Sequence, residues 1–257
     1  MRQDQISLQL YTVREETARN MPATLRRISE IGYPAVEFAG FGGLSAEDLR
    51  NILDDLDLRA SGAHVPFDSW ETDPEAVITD MHTLDCAHAI LPIAPPEQHR
   101  DETAVASLAG SLNRWGELCR QEDVTFSYHN HDFEFAPLGG PTPLGGPTMW
   151  DVLVRETDPE LVYFELDLYW VRYGGADPEP LLSDLGDRIP LVHLKDMAAD
   201  EQRSDLPVGE GTMPWNGLLE AADAAGVQWY VAEQDSPSDA LEDVRISLRS
   251  MRELASG

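Results

Sequence analysis

The stretch Val124-Thr125-Phe126-Ser127-Tyr128-His129-Asn130-His131 decides the fold class of this chain. Apolar and polar side chains alternate along it, as in a β-strand whose successive side chains point to opposite faces. The apolar set (Val124, Phe126 and Tyr128) suits contact with a layer of helices, and the polar set then points to the opposite, inner side. A strand covered by helices on one face is typical of a parallel sheet in an α/β protein.

Segments with a strand pattern occur eight times, and each is followed by a segment with the spacing of an amphipathic helix. Eight such units in 257 residues predict a closed (β/α)8 barrel, the TIM-barrel fold, as a single domain over residues 1–257. The strands are expected at Ile6–Tyr11, Ala35–Phe38, Arg59–His64, Ala87–Pro92, Thr125–His131, Val162–Asp167, Leu191–Lys195 and Trp229–Glu233. The helices are expected at Met21–Ile31, Ser45–Asp55, Pro74–Leu84, Thr103–Glu122, Thr148–Glu156, Pro178–Leu185, Asn216–Ala225 and Asp239–Leu254.

Glycine and proline residues mark the ends of helices and the loops between these units. The run Ile31-Gly32-Tyr33-Pro34 ends the first helix just before a strand. A longer glycine- and proline-rich loop, residues 137–147, follows the fifth strand. It lies at the face where TIM barrels build their active sites, and it is interpreted equally well as a lid or as a tolerated insertion.

The chain is strongly acidic, with 47 aspartates and glutamates against 18 basic residues and a formal net charge of −29. Nucleic acids and anionic membranes attract clustered lysine and arginine, so neither is expected as a partner. Lys195 is the single lysine. This composition favours a halophilic protein whose dense surface carboxylates are screened by salt, with an ordinary acidic protein as the alternative.

Two cysteines, Cys86 and Cys119, are too few for a disulfide framework and are expected to be buried free thiols. The chain also lacks an apolar run of the roughly 18 residues that a membrane-spanning helix needs. A soluble, cytoplasmic protein is therefore expected.

Polar side chains close four neighbouring strands, the fifth to the eighth, at the end where a TIM barrel builds its active site. These side chains are His129 and His131, Asp167, His193 and Lys195, and Glu233. Because polar groups are not buried without partners, two imidazoles and two carboxylates predict a metal site formed by His129, Asp167, His193 and Glu233. Mixed nitrogen and oxygen ligands suit Mn²⁺ first, with Mg²⁺, Co²⁺ or Zn²⁺ as alternatives. The other interpretation is a set of separate hydrogen-bonded residues at a solvated mouth.

Other polar and aromatic residues near the strand ends are candidates for the substrate site. Lys195 is expected to stabilise a substrate oxyanion, or else to form a structural salt bridge with Asp167 or Glu165. Glu37 and His64 are candidates for binding substrate hydroxyls, and Trp170 is a candidate for stacking on a sugar ring. Glu165 and Glu210 complete the candidate substrate-binding residues, while Glu134 is a further acid or base in the loop after the fifth strand.

Seven motifs are spread from the first strand to the last. They are Leu8-Gln9-Leu10-Tyr11-Thr12-Val13-Arg14, Ile31-Gly32-Tyr33-Pro34-Ala35-Val36-Glu37, Tyr128-His129-Asn130-His131-Asp132-Phe133-Glu134-Phe135, Glu165-Leu166-Asp167-Leu168-Tyr169-Trp170, His193-Leu194-Lys195-Asp196, Val208-Gly209-Glu210-Gly211 and Ala232-Glu233-Gln234-Asp235. Together they resemble the sugar phosphate isomerase/epimerase family, which belongs to the xylose-isomerase-like barrel superfamily. The resemblance implies a divalent metal and a sugar, keto-sugar or polyol substrate.

The resemblance also implies the metal ligands. Well-understood epimerases of the superfamily use Glu, Asp, His and Glu, which fall here on His129, Asp167, His193 and Glu233. The first position departs from that pattern, because it holds histidine where those epimerases have one of two proton-exchanging glutamates. A symmetric epimerisation by two glutamates is therefore in doubt for this chain.

The expected activity is that of a metal-dependent sugar isomerase or epimerase working through an enediolate. Glu233 is expected to be the base, Lys195 to stabilise the oxyanion, and His131, Glu165 or Glu37 to return the proton. The alternatives are an inosose-dehydratase-like lyase, a DNA-repair nuclease that the acidic charge disfavours, and a non-catalytic sugar-binding barrel. The sequence leaves the sugar, its phosphorylation and the oligomeric state open, and a homo-oligomer is compatible with it.

Overall fold

The computed structural model describes residues 1–139 and 146–256 and closes eight parallel strands into one barrel. Around the barrel the strands follow the order β1-β2-β3-β4-β5-β6-β7-β10, so the predicted TIM barrel is confirmed. A short antiparallel pair, β8 and β9, lies outside it. The strands are β1 Ile6–Gln9, β2 Ala35–Ala39, β3 Arg59–His64, β4 His88–Leu91, β5 Thr125–His129, β6 Tyr163–Asp167, β7 Leu191–Leu194, β8 Asp196–Met197, β9 Asp205–Leu206 and β10 Trp229–Ala232.

Ten α-helices in the described residues surround the barrel. Side-chain caps begin several of them: the side chains of Ser45 and Asp177, for example, accept hydrogen bonds from backbone N–H groups of α2 and α8. The helices are α1 Arg14–Ile31, α2 Ala46–Leu56, α3 Phe67–Thr72, α4 Pro74–Leu84, α5 Glu102–Gln121, α6 Met149–Glu156, α7 Leu168–Tyr173, α8 Pro178–Leu185, α9 Trp215–Ala225 and α10 Ala240–Leu254.

The core lies between the strands and the helices, as the alternation in β5 predicts. Phe126 points outward and makes an edge contact with Trp70 of α3 at 4.9 Å between ring centroids. Trp115 of α5 packs on the same two rings. Cys86 and Cys119 are buried and free, as expected, and burial raises the pKa of both thiols to about 12. No helix of the described chain combines the length and the hydrophobicity needed to span a bilayer.

Several predicted boundaries are wrong. The strands β1, β5 and β7 end at Gln9, His129 and Leu194, because the chain leaves the sheet where neighbouring strands stop pairing with it. The predicted helix Met21–Ile31 is found as the second part of α1: Asn20 has non-helical backbone angles, and its Oδ1 accepts a hydrogen bond from the backbone N–H of Ala23. The helical segment from Arg14 to Arg19 before this break was not predicted.

The expectation of one helix after each strand is also wrong. Two helices follow β3 and two follow β6, and the pair β8–β9 separates β7 from α9. The glycine- and proline-rich loop begins and ends near an antiparallel bridge between Pro137 and Thr148. Its interpretation as a lid or an insertion lies outside the described residues for positions 140–145.

Candidate active site

The carboxyl ends of β5, β6, β7 and β10 bring four polar side chains together. His129, Asp167, His193 and Glu233 each offer one ligand atom, and these atoms all lie within 4.8 Å of one another. The strand register explains the meeting, because Asp167 pairs with His193 across β6 and β7, and His193 pairs with Val231 across β7 and β10. All four side chains are buried, so the free-energy cost of taking them out of water must be offset by contacts with one another or with a bound group.

A second group shares two of these residues. Glu165 Oε2 lies 2.7 Å from His64 Nε2 and 2.9 Å from His129 Nδ1. The His193 ring lies between the two groups, with Nδ1 2.7 Å from Glu233 Oε2 and Nε2 3.2 Å from Glu165 Oε2. Burial by itself lowers the pKa of His64, but Glu165 and Glu37 raise it to about 9.

Glu37 joins this second group from the opposite side of the barrel. Its Oε2 accepts hydrogen bonds from Gln9 Nε2 at 2.6 Å and from His193 Nε2 at 2.7 Å. A register shift in β2 between Val36 and Glu37 pairs Glu37 with Gly62. A Cβ at Gly62 would lie 2.7 Å from Glu37 Oε1, so the glycine leaves the space that this carboxylate fills.

Lys195 supplies a buried ammonium group to the site. Its Nζ lies 2.7 Å from Asp167 Oδ2, 2.8 Å from Glu233 Oε2 and 2.9 Å from Asp235 Oδ2, and the side chain is buried. Burial alone lowers the pKa of a lysine, but these three carboxylates hold the pKa of Lys195 well above its ordinary value. The single lysine of the chain is therefore charged, and its ammonium group is paired with carboxylates of the site.

The donor set fits a divalent cation. Three carboxylates, Asp167, Glu233 and Asp235, contact Lys195, while Glu37 and Glu165 contact His193. The Oε1 atoms of Glu37 and Glu165 are buried without a hydrogen-bond partner, which favours a further cation in the cluster. Imidazole and carboxylate donors are those that hold first-row divalent metals. An imidazole ligand must be neutral, and burial and the neighbouring positive charges keep the pKa of His129 well below its usual value. Burial also lowers the pKa of His193, but Glu165, Glu37 and Glu233 hold it well above the usual value, so His193 would release a proton on binding a metal.

A cavity of about 390 Å³ opens from this cluster to the surface. A larger depression of about 760 Å³ lies at the amino-terminal ends of the strands and contains none of the clustered groups, so the smaller cavity is the candidate site. The residues lining the smaller cavity are Tyr11, Ala39, Gly40, His64, Pro66, Pro92, Ile93, His129, His131 and Asp235.

The remaining candidates from the sequence lie at different distances from the cluster. His131 lines the cavity, and its Nδ1 is buried without a partner; burial and Lys195 lower its pKa to about 4. Trp170 lies in α7 and not in a loop, and its ring centroid is 5.4 Å from Lys195 Nζ. Glu210 is exposed in the loop between β9 and α9 and does not line the cavity. Glu134 is buried and accepts hydrogen bonds from Tyr128 Oη and the backbone N–H of His131.

Sequence reasoning missed two residues of the site. Asp235 reaches both Lys195 and the cavity, and Gln9 supports Glu37. The signal for Asp235 is its position two residues after Glu233. For Gln9 the signal in the sequence is a polar side chain at an inward position of the first strand.

The family model of the xylose isomerase-like TIM barrel matches residues 25–254 of the chain. Among curated proteins, the inosose dehydratase of Geobacillus kaustophilus is 28% identical over 228 residues, 76% of this chain and 71% of that protein. The inosose dehydratase of Geobacillus thermodenitrificans is 31% identical over 147 residues, and the match spans 50% of this chain and under half, 47%, of that protein.

Solved structures with the same fold cover nearly the whole chain. A sugar phosphate isomerase/epimerase from Parabacteroides distasonis superposes with a TM-score of 0.81 at 24% identity, covering 98% of this chain and 93% of that one. The IolI protein, solved with a bound zinc atom, has a TM-score of 0.75 at 13% identity, covering 98% of each chain. At these identities the likeness establishes the barrel and its topology.

Proposed function

We propose that this chain, which belongs to the xylose isomerase-like TIM barrel family, is a divalent-metal-dependent dehydratase of a keto-sugar or inosose-like keto-polyol. The observation that carries the proposal is the buried convergence of His129, Asp167, His193 and Glu233 within 4.8 Å. The inosose dehydratase names of the curated relatives favour a lyase over the isomerase that sequence reasoning placed first.

These four residues are the proposed ligands, and Mn²⁺ is the preferred metal. The IolI protein, a structural neighbour solved with a bound zinc atom, supports a bound metal for this chain, and metal analysis of the purified protein would identify it. When bound, the cation supplies Lewis-acid polarisation of a substrate carbonyl, which lowers the activation barrier to breaking the neighbouring C–H bond.

Glu233 is proposed to accept the proton from the carbon next to the carbonyl. Burial by itself raises the pKa of this carboxyl, but Lys195 and His193 hold it below the ordinary value, so Glu233 is ionised and ready to accept a proton at neutral pH. Lys195 Nζ lies 2.8 Å from Glu233 Oε2 and stabilises negative charge that develops on the substrate oxygen.

Dehydration then requires that the β-hydroxyl leave as water. The C–H and C–O bonds break, a C=C bond forms, and the leaving hydroxyl takes a proton from a group on the cavity wall. Asp235 is the candidate donor, because it lines the cavity and burial raises its pKa to about 6. His131 lines the same cavity but is neutral, so it is proposed to hydrogen-bond the leaving hydroxyl and not to protonate it. Glu37, His64 and Glu165 are proposed to orient the substrate hydroxyls from the other side of the His193 ring.

Epimerisation or isomerisation is the second candidate. The favouring observation is Glu165, a buried carboxylate on the side of the His193 ring away from Glu233. A proton donor on that side would return the proton to the substrate carbon instead of expelling a hydroxyl. The two candidates share the first proton transfer and differ in the fate of the hydroxyl.

The test is turnover in D₂O of the manganese-loaded protein against a panel of inososes and ketoses. Loss of water with a new enone absorbance identifies the dehydratase, whereas deuterium at an unchanged carbon skeleton identifies the epimerase or isomerase. Glu233→Gln should abolish both signals, and Glu220→Gln, an exposed acid on α9, is the matched control. Absence of both signals across the panel, with metal bound, contradicts the proposal and favours a non-catalytic sugar-binding barrel.

A further inference from the structure

The mouth of the candidate active site is divided into two chemically different halves. The strands β5 to β7 and β10 supply the imidazoles, the carboxylates and Lys195. The loops after β1 to β4 supply uncharged and mostly apolar side chains, apart from His64. These residues are Tyr11, Ala39, Gly40, Pro66, Pro92 and Ile93.

Two of these apolar side chains stand out by their exposure. Tyr11 is 42% exposed and Ile93 is 50% exposed, and they are the two large hydrophobic side chains exposed in the described part of the chain. On a surface otherwise dense in carboxylates, both lie at the rim of the same cavity. Apolar side chains exposed together at one opening favour the binding of an apolar group there.

A second cavity of about 200 Å³ adjoins this apolar half. It shares Gly40, His64 and Pro66 with the main cavity and extends between β3 and α4. Its further lining residues are Phe41, Val65, Ser69, Val77, Asp80 and Met81. A Cβ at Gly40 would meet nothing within 4 Å, so this residue, which both cavities share, borders open space.

We propose that the substrate carries a neutral, apolar substituent of about the size of a benzene ring, and that this side chamber binds it while the keto-polyol ring lies at the polar cluster. An apolar cavity of about 150 Å³ is enough to hold benzene, so the 200 Å³ chamber has the required size. The inference rests on the proposed function and adds the class of substrate.

Charge disfavours the main alternative, a phosphorylated substrate. Within the part of the chain that the structure describes, no arginine or lysine lines either cavity, while Asp80 and Asp235 do. The nearby Arg14 is engaged, because it donates hydrogen bonds to the backbone carbonyls of Tyr11 and Asp235. The one charged imidazole that lines both cavities, His64, already contacts Glu37 and Glu165, so a phosphate there would meet carboxylates and no free cation within the described lining.

The test compares kcat/KM for three probes: an inosose, its O-benzyl ether and its phosphate monoester. For the manganese-loaded wild-type protein we expect the benzyl ether to be preferred over the parent by at least about tenfold, and the phosphate to be the poorest. Ser69 lies half-buried on α3 at the chamber wall, so Ser69→Leu fills the chamber and should bring the benzyl-to-parent ratio to about one. Ser69→Ala leaves the chamber open and should keep the wild-type ratio.

The outcomes separate this inference from the proposed function. Turnover of the parent inosose without a preference for the benzyl ether overturns the inference and leaves the proposed function intact. Preference for the phosphate also overturns it. Turnover of none of the three probes overturns the inference, and the panel of inososes and ketoses then decides the proposed function separately. The wild-type ratio decides the question even if Ser69→Leu fails to fold, which circular dichroism would reveal.

Discussion

Replacing Lys195 by methionine is expected to destabilise the metal-free protein by about 3–5 kcal/mol. The change keeps most of the side-chain volume but removes the ammonium group from three carboxylates at 2.7–2.9 Å. Removing one partner of a buried ion pair typically costs this much, because the opposite charge stays buried. The buried carboxyl can instead take up a proton. For a group whose ordinary pKa is near 4, protonation at pH 7 costs about 4 kcal/mol, which is the same range as the cost of leaving the charge unpaired.

The sign of the pH dependence follows from the same geometry. Without Lys195, the folded-state pKa of the buried carboxyl rises above its unfolded value, so the loss of stability is present at neutral pH and shrinks as the pH falls. Between pH 7 and pH 5 the deficit should decrease by about 1.4 kcal/mol per pH unit.

The assay is urea unfolding of the wild type and Lys195→Met in EDTA, followed by tryptophan fluorescence. Arg155→Met is the matched control, because Arg155 pairs with Glu102 at 2.7 Å but is 50% exposed, so its loss should cost less than about 1 kcal/mol. A Lys195→Met variant within about 1 kcal/mol of the wild type at pH 7 would refute the reasoning, as would a deficit that grows as the pH falls.

Further expected outcomes concern other parts of the chain. Burial raises the pKa of Glu134 to about 7, so stability should fall by about 3 kcal/mol as the pH rises from 4.5 to 7, and urea titrations of Glu134→Gln should lack this slope. Gly62→Ala should cost about 1–3 kcal/mol in urea unfolding, because the new Cβ would meet Glu37 Oε1 and Ile90 Cδ1 at 2.7 Å; an unchanged midpoint would contradict this. Mn²⁺ at 100 times its dissociation constant should stabilise the wild type by about 2.7 kcal/mol in calorimetry and leave Asp167→Asn nearly unaffected. With a net charge of −29, the thermal midpoint should rise between 0.1 and 2 M KCl; a flat response would count against adaptation to high salt.

Local patterns predicted most of the fold. Alternation in segments such as Thr125–His131 indicated strands with one face toward helices, and eight such units in order fit a closed barrel. The boundaries were less predictable. β5 stops at His129 because pairing with its neighbours ends there, and no local signal records where a neighbouring strand ends.

The sequence by itself determined the barrel and which strands end in imidazole, carboxylate and ammonium groups, because both follow from residue type and a period of two along the strand. Only the tertiary structure decided that Glu37 and His64, from β2 and β3, contact Glu165 and His193 across the barrel. It also brought Asp235 to Lys195 and opened the side chamber beside Gly40. These contacts depend on how far strands shift and tilt when the sheet closes, a property of all eight strands together.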